Sequence, residues 1–179
     1  MSRRSIALCV ACLAIFTVTS VQAQMGPPTP APELKKLDFM AGNWTAKGTM
    51  NPGPGMPGGK WTMTTNAEWM QGNFFLVENS DMDLGPMGKG KEVAYLGYDP
   101  DKKVYTYHAF NSMGEAEDST GTVDGDTWTW TSDEHMGGMT MKGRFTMKVV
   151  SPTSYTMKFE LSQDGTKWMT GMEGTATKK

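Results

Sequence analysis

The chain has 179 residues, which makes a single domain the default, and its 17 basic and 19 acidic side chains give a net charge of −2. Proteins that bind nucleic acid need a basic face and usually several arginines, whereas beyond the N-terminal segment this chain has only Arg144. We therefore expect no nucleic-acid partner.

The first 23 residues have the order of a cleavable secretory signal peptide. Arg3 and Arg4 precede the apolar run 6–18, and Val21 and Ala23 supply the small residues that a signal peptidase reads. The run is shorter than the roughly 20 residues needed to span a bilayer. We expect cleavage after Ala23, no membrane anchor afterwards, and a periplasmic or secreted location in a bacterium, with an uncleaved anchor as the alternative.

Cleavage would also change the chemistry open to the mature chain. It removes Cys9 and Cys12, the only cysteines, and with them any disulfide, thiolate nucleophile or cysteine metal site. An exported domain without disulfides is more typical of a bacterium than of a eukaryotic secretory route. Loss of two basic residues brings the expected net charge to −4.

Residues 24–32 are rich in proline and are interpreted as an extended tether. Residues 33–179 are predicted to form one domain. At its start Leu34, Leu37 and Met40 recur every third residue and Gly42 follows, a pattern that predicts one or two helical turns with one apolar face. Such a short helix is not stable alone, so we expect it to pack against one end of the domain.

From Asn43 onward the pattern changes to alternation of polar residues with apolar and aromatic ones, which is typical of strands. Turn-forming residues separate about ten predicted strands, at 51–59, 71–73, 85–90, 99–101, 112–114, 124–125, 137–138, 151–152 and 164–165. One strand face is apolar and no long helix follows to cover it. We therefore predict an all-β fold, a closed antiparallel up-and-down barrel, with a two-sheet β-sandwich as the alternative.

Three short motifs carry a family resemblance. Gly42-Asn43-Trp44 directly after a short helix resembles the opening of lipocalin-like (calycin) barrels, which implies that Trp44 plugs one end of the barrel. Together with Trp-Met-Gln-Gly-Asn-Phe at 69–74 and Leu-Gly-Tyr-Asp-Pro at 96–100, the chain more closely resembles the bacterial domain-of-unknown-function family 1579, whose β-barrel-like members have no assigned activity.

The chain also departs from these relatives. Lipocalins carry an arginine that packs over the first tryptophan, whereas Arg144 is predicted on the solvent face of the eighth strand. The final pair Lys178-Lys179 is interpreted as a solvated tail. Haem-binding relatives have a glycine-rich first strand that residues 44–48 match only in part, so we expect no haem and no other cofactor.

The sequence contains no catalytic motif. His108 and His135 are the only histidines, and both Gly-x-Ser-x-Gly and His-Glu-x-x-His are absent. We therefore predict no catalytic residues and no enzyme. Acidic groups at 81/83, 115/117/118 and 124/126 adjoin predicted turns and are interpreted as turn residues rather than calcium ligands.

Methionine is unusually frequent, with 17 in the chain. Methionine fills irregular gaps and adapts to varied partners, so a Met-rich interior favours a binding lumen. We predict that a small apolar or aromatic molecule binds among ten inward side chains: Trp61, Met63, Trp69, Trp128, Trp130, Met141, Phe145, Met147, Met157 and Phe159. One alternative is a barrel filled by its own side chains that serves only as an interaction surface.

A second alternative is a periplasmic Cu(I)-binding protein. One imidazole and three thioethers lie within seven residues, at His135, Met136, Met139 and Met141. Soft sulfur together with imidazole is a ligand set that Cu(I) favours. The competing interpretation is that Met139 and Met141 point inward as barrel lining.

Overall fold

The computed structural model describes residues 27–53, 56–136 and 138–179, and for Met136 the backbone alone. The predicted signal peptide, residues 1–23, lies outside the described residues, as do residues 24–26 of the predicted tether. Within the described ranges, no helix has the length and apolar character needed to cross a bilayer.

The domain begins with a 3-10 helix, Pro32–Met40, whose buried side chains are Leu34, Leu37 and Met40. A 3-10 helix has three residues per turn, so every third side chain falls on the same face. Pro32 lies in the first turn, where its missing N–H leaves no helical hydrogen bond unmade. The helix starts at the last residue of the predicted tether.

Ten antiparallel strands follow, and each pairs with its neighbours in sequence while the first also pairs with the last. The prediction of a closed ten-stranded barrel is confirmed. A one-turn 3-10 helix, Gly85–Met87, lies between the third and fourth strands. The strands are β1 (Gly42–Gly53), β2 (Met56–Trp69), β3 (Leu76–Asp83), β4 (Lys89–Asp99), β5 (Val104–Asn111), β6 (Ala116–Asp124), β7 (Thr127–Met136), β8 (Met139–Ser151), β9 (Ser154–Ser162) and β10 (Met169–Lys178).

The first hairpin extends further than the sequence predicts. Pro52 pairs with Pro57 and Gly53 with Met56, so the two strands continue well into the run 51–59 that was expected to be a turn. Proline is tolerated at strand ends, where its missing N–H removes no central ladder bond.

The N-terminal helix covers one end of the barrel, here called the helix end, and the half of the barrel beside it is densely packed. Leu37 and Leu76 are fully buried, and the rings of Tyr105 and Trp128 meet edge to face at 4.7 Å between centroids. Tyr105 also donates a hydrogen bond from Oη to the carbonyl of Glu33, at 3.0 Å. Helix and barrel therefore share one core.

Glycines leave room for two of the inward tryptophan rings, one on an adjacent strand and one two strands away. Trp130 lies against Gly121, and any Cβ there would overlap its ring. Trp61 lies against Gly174 in the same way and donates from Nε1 to the carbonyl of Thr49, at 3.2 Å. These contacts fix the indole rings flat against the barrel wall.

Candidate functional site: a lumen lined by glutamates

Trp44 lies at the helix end, where the resemblance to lipocalins places a plug. Its side chain is 4 % exposed, and Nε1 donates to the carbonyl of Met40 at 2.7 Å. The ring of Tyr155 packs on it at 4.9 Å between centroids. Trp44 thereby ties the barrel to the helix.

A lysine, rather than the arginine found in lipocalins, packs beside Trp44. The Nζ of Lys178 lies 5.3 Å from the Trp44 ring centroid and donates to the carbonyl of Phe39 at 2.9 Å. The interpretation of Lys178 as part of a solvated tail is wrong, because its backbone pairs with Trp44 across β10 and β1. Arg144 instead lies over Trp168, with 3.9 Å from Cζ to the ring centroid.

All ten predicted lining residues lie on the inward face of their strands, since each shares a register row with buried partners. Six of them are buried in the core: Trp61, Trp128, Trp130, Met141, Met147 and Met157. Met63, Trp69, Phe145 and Phe159 keep accessible surface. Trp69 belongs to the helix end, where Nε1 donates to Asp38 at 3.1 Å. Much of the predicted set therefore fills the barrel, and Met63 and Phe145 pack against the buried residues although they are only partly buried.

The sequence analysis missed several inward-facing glutamates, three of which have a raised pKa, while a fourth, Glu134 on β7, shares a register row with the buried Met141. Glu78 on β3 lies between Ala67 on β2 and Ala94 on β4, both 1 % exposed. Glu117 on β6 faces the buried Ala109 on β5. Glu92 shares a register row with the buried Ser80. We name Glu78, Glu92 and Glu117 the lumen glutamates.

Small neighbours leave space around the lumen glutamates. The side chains beside Glu78 and Glu117 are alanines, which cannot reach across the barrel. All three lumen glutamates keep accessible surface although they point inward. The nearest inward side chains on the adjacent strands therefore leave the carboxylates of Glu78 and Glu117 without a bulky neighbour on that side.

Burial raises the pKa of Glu78 to about 7, and the negative charge of Glu92 raises it as well. Burial likewise raises the pKa of Glu117 to about 7, although the hydrogen bond from Ser119 lowers it and the charges of Glu134 and Glu92 raise it again. Burial raises the pKa of Glu92 too, against the lowering effect of its hydrogen bond from Tyr107. Glu78 and Glu117 therefore change protonation state near neutral pH.

Hydrogen bonds hold two of the lumen glutamates in place. Tyr107 Oη donates to Glu92 Oε1 at 3.0 Å, and the Ser119 hydroxyl donates to Glu117. Glu78 accepts no hydrogen bond from any described residue, and its carboxylate is free to bind a donor. The strand registers place no lysine or arginine of the described residues on the inward face beside the lumen glutamates.

The alternation of inward and outward residues along β3 and β6 could have predicted that Glu78 and Glu117 point inward. Glu78 has the same parity as the buried Leu76 and Ser80, and Glu117 has the same parity as Ser119. Interpreting the acidic group 115/117/118 as turn residues overlooked this parity. Glu117 already lies within β6, so strand pairing and not the turn decides where it points.

The four residues of the alternative copper site do not converge. His135 is exposed and pairs with Thr140, with 3.1 Å between its Nδ1 and Oγ1 of that threonine. Met141 is 1 % exposed and faces inward, while Met139 is 47 % exposed. The side chain of Met136 lies outside the described part of the structure. His135 and Met141 face opposite sides of the barrel wall, and no group of three or more His, Cys, Asp or Glu among the described residues is arranged to hold a metal ion.

Comparison with known proteins places the chain in a family. No curated protein matches it. Among solved structures it is similar to the crystal structure of Rv2717c from M. tuberculosis, with a TM-score of 0.57 and 14% identity, covering 84% of this chain and 99% of that one. This likeness extends to the fold alone. Residues 29–178 match the family model described as protein of unknown function (DUF1579), and the chain therefore belongs to the DUF1579 family.

Proposed function

We propose that this protein is a non-enzymatic binding protein that is exported and takes one small, largely apolar or aromatic molecule into the barrel beside the lumen glutamates. The observation that carries the proposal is the inward placement of Glu78 and Glu117 beside small alanines, together with the accessible surface that both glutamates keep. A barrel of eight strands has room for one small ligand, and ten strands enclose more.

The chemistry of the lining selects the ligand. Phe145 and Phe159 supply apolar contact beside the core, whereas Glu78 offers a carboxylate without a hydrogen-bond partner among the described residues. Carboxylates in a poorly solvated lumen favour a partner that donates hydrogen bonds or carries positive charge. We therefore propose an aromatic or aliphatic amine as the ligand class.

Two aromatic probes of equal ring number and opposite charge test the proposal. 9-Aminoacridine is cationic and anthracene-9-carboxylate is anionic, and binding of either near the inward tryptophans quenches their emission. We expect saturable one-to-one binding of 9-aminoacridine at pH 8 and at least tenfold weaker binding of the anion, a difference of about 1.4 kcal/mol.

Matched variants locate the binding. Glu78→Gln keeps the side-chain shape and removes the charge, and we expect it to weaken 9-aminoacridine binding about tenfold. Glu68→Gln removes an exposed charge from the outer face of the adjacent strand and serves as the control. Trp130→Ala and Met147→Lys, which change buried side chains of β7 and β8, should weaken binding. The circular dichroism spectrum should remain that of a barrel. Absence of saturable binding by both probes would show that the lumen is filled.

The proposal does not extend to Cu(I). Its ligand set requires the imidazole of His135 and the thioether of Met141 to meet at one ion, and these residues lie on opposite faces of the hairpin formed by β7 and β8.

A further inference from the structure

The outer face of the barrel carries a groove rich in lysine, although the net charge of the chain is negative. The groove crosses five adjacent strands in the order β2, β1, β10, β9 and β8 and has a volume of about 820 Å³. Five strands spaced by about 4.8 Å give it a length of about 19 Å.

Strand register builds the two walls of the groove from outward-facing side chains. One wall is the row containing Lys60 and Lys158, and the other, two residues further along each strand, is the row containing Lys47 and Lys148. Between the rows run inward-facing positions, Gly48, Gly174, Trp61 and Met157, which form the floor, so no outward side chain stands between the two walls. The site is therefore an open, linear surface groove rather than a closed pocket.

Lysines dominate its charge. Of the ten wall positions four are lysine, five are threonine and one is Glu173. Lys158 pairs with Glu160 at 2.8 Å, whereas Lys47, Lys60 and Lys148 form no ion pair with any described residue. Unpaired lysines therefore lie on both walls, and the excess of positive charge is greatest on the wall of Lys47 and Lys148, since Glu173 lies on the other wall.

We propose that this groove binds a linear acidic polysaccharide. Its positive charge complements a chain of carboxylates, and the staggered lysines on both walls meet charges repeated along a polymer. The threonine hydroxyls donate and accept hydrogen bonds, as a sugar chain requires. The wall rows contain neither arginine nor an aromatic side chain, which phosphate recognition and base stacking use. A flat bilayer does not fit into a groove between two rows of side chains, and the wall rows offer no apolar side chain to insert into a membrane.

The test uses polygalacturonate oligomers, which are linear polyuronates, and titration calorimetry of the protein at low ionic strength. We expect binding that weakens as salt is added and no binding of uncharged dextran. The double variant Lys47→Gln with Lys148→Gln should weaken binding at least tenfold. The double variant Lys89→Gln with Lys91→Gln changes the net charge equally, at exposed lysines paired with aspartates of β3, and should weaken it less than twofold.

Three results would overturn the proposal. The first is the absence of polygalacturonate binding at low salt by protein whose thermal unfolding is normal. The second is an equal loss in the two double variants, which would show a non-specific charge effect. The third is tighter binding of oligothymidine or of phosphatidylglycerol vesicles than of polygalacturonate, which would show that the groove serves another class of partner.

Discussion

Replacing Glu78 by glutamine should stabilise the barrel above neutral pH. In the folded protein burial holds the pKa of Glu78 at about 7, against its ordinary value of 4.5. The folded state therefore binds the proton more tightly than the unfolded state, and the free energy of unfolding falls as pH rises from about 4.5 through about 7. The whole change corresponds to about 3 kcal/mol. Glu78→Gln has no proton to lose, so it should be more stable than the parent by about 3 kcal/mol at pH 8 and by about 1 kcal/mol at pH 5.

Urea unfolding at the two pH values, followed by tryptophan emission, measures this difference. The control is Glu68→Gln on the outer face of β2, which should change the free energy of unfolding by less than about 0.5 kcal/mol at both pH values. A Glu78→Gln protein no more stable than the parent at pH 8, or equally stabilised at both pH values, would refute the argument that an ionised carboxylate is held in the lumen at a cost.

Three further predictions concern the packed half and the N-terminus. Trp44→Phe removes the 2.7 Å hydrogen bond to the carbonyl of Met40 and should cost about 1–3 kcal/mol in chemical unfolding, and an unchanged midpoint would contradict it. Gly121→Ala should lower the free energy of unfolding by a comparable amount, because the new methyl group overlaps the Trp130 ring. An unchanged thermal midpoint would contradict this prediction. Intact-mass measurement of protein purified from its own host should show Gln24 as the first residue, and a mass that retains residues 1–23 would favour the uncleaved anchor.

Local sequence rules predicted most of the fold. The three-residue spacing of Leu34, Leu37 and Met40 predicted the helix, and alternating strands between turn residues predicted ten strands. Closure followed from an apolar face that no helix could cover. These features depend on neighbours in sequence, which periodicity records directly.

The candidate site was predicted less well, because its members come from three strands. Glu78, Glu92 and Glu117 are far apart in the chain and meet only through the register of β3 to β6. Hydrophobic pattern alone assigns a glutamate to the solvent face, and the sequence analysis followed that rule. The sequence analysis missed the outer groove for the same reason, since Lys47 and Lys148 come into one row, through Thr175 and Thr156, only when β1 and β10 close the barrel.

Native mass spectrometry of protein purified from its own host tests most directly whether the lumen holds a small amine. The account predicts one retained organic molecule per chain, released as a cation, or, for protein stripped of ligand, uptake of one 9-aminoacridine that Glu78→Gln reduces. A retained fatty acid or other anion would contradict it. So would a chain that carries nothing and takes up no 9-aminoacridine at concentrations far above those used for the tryptophan titration.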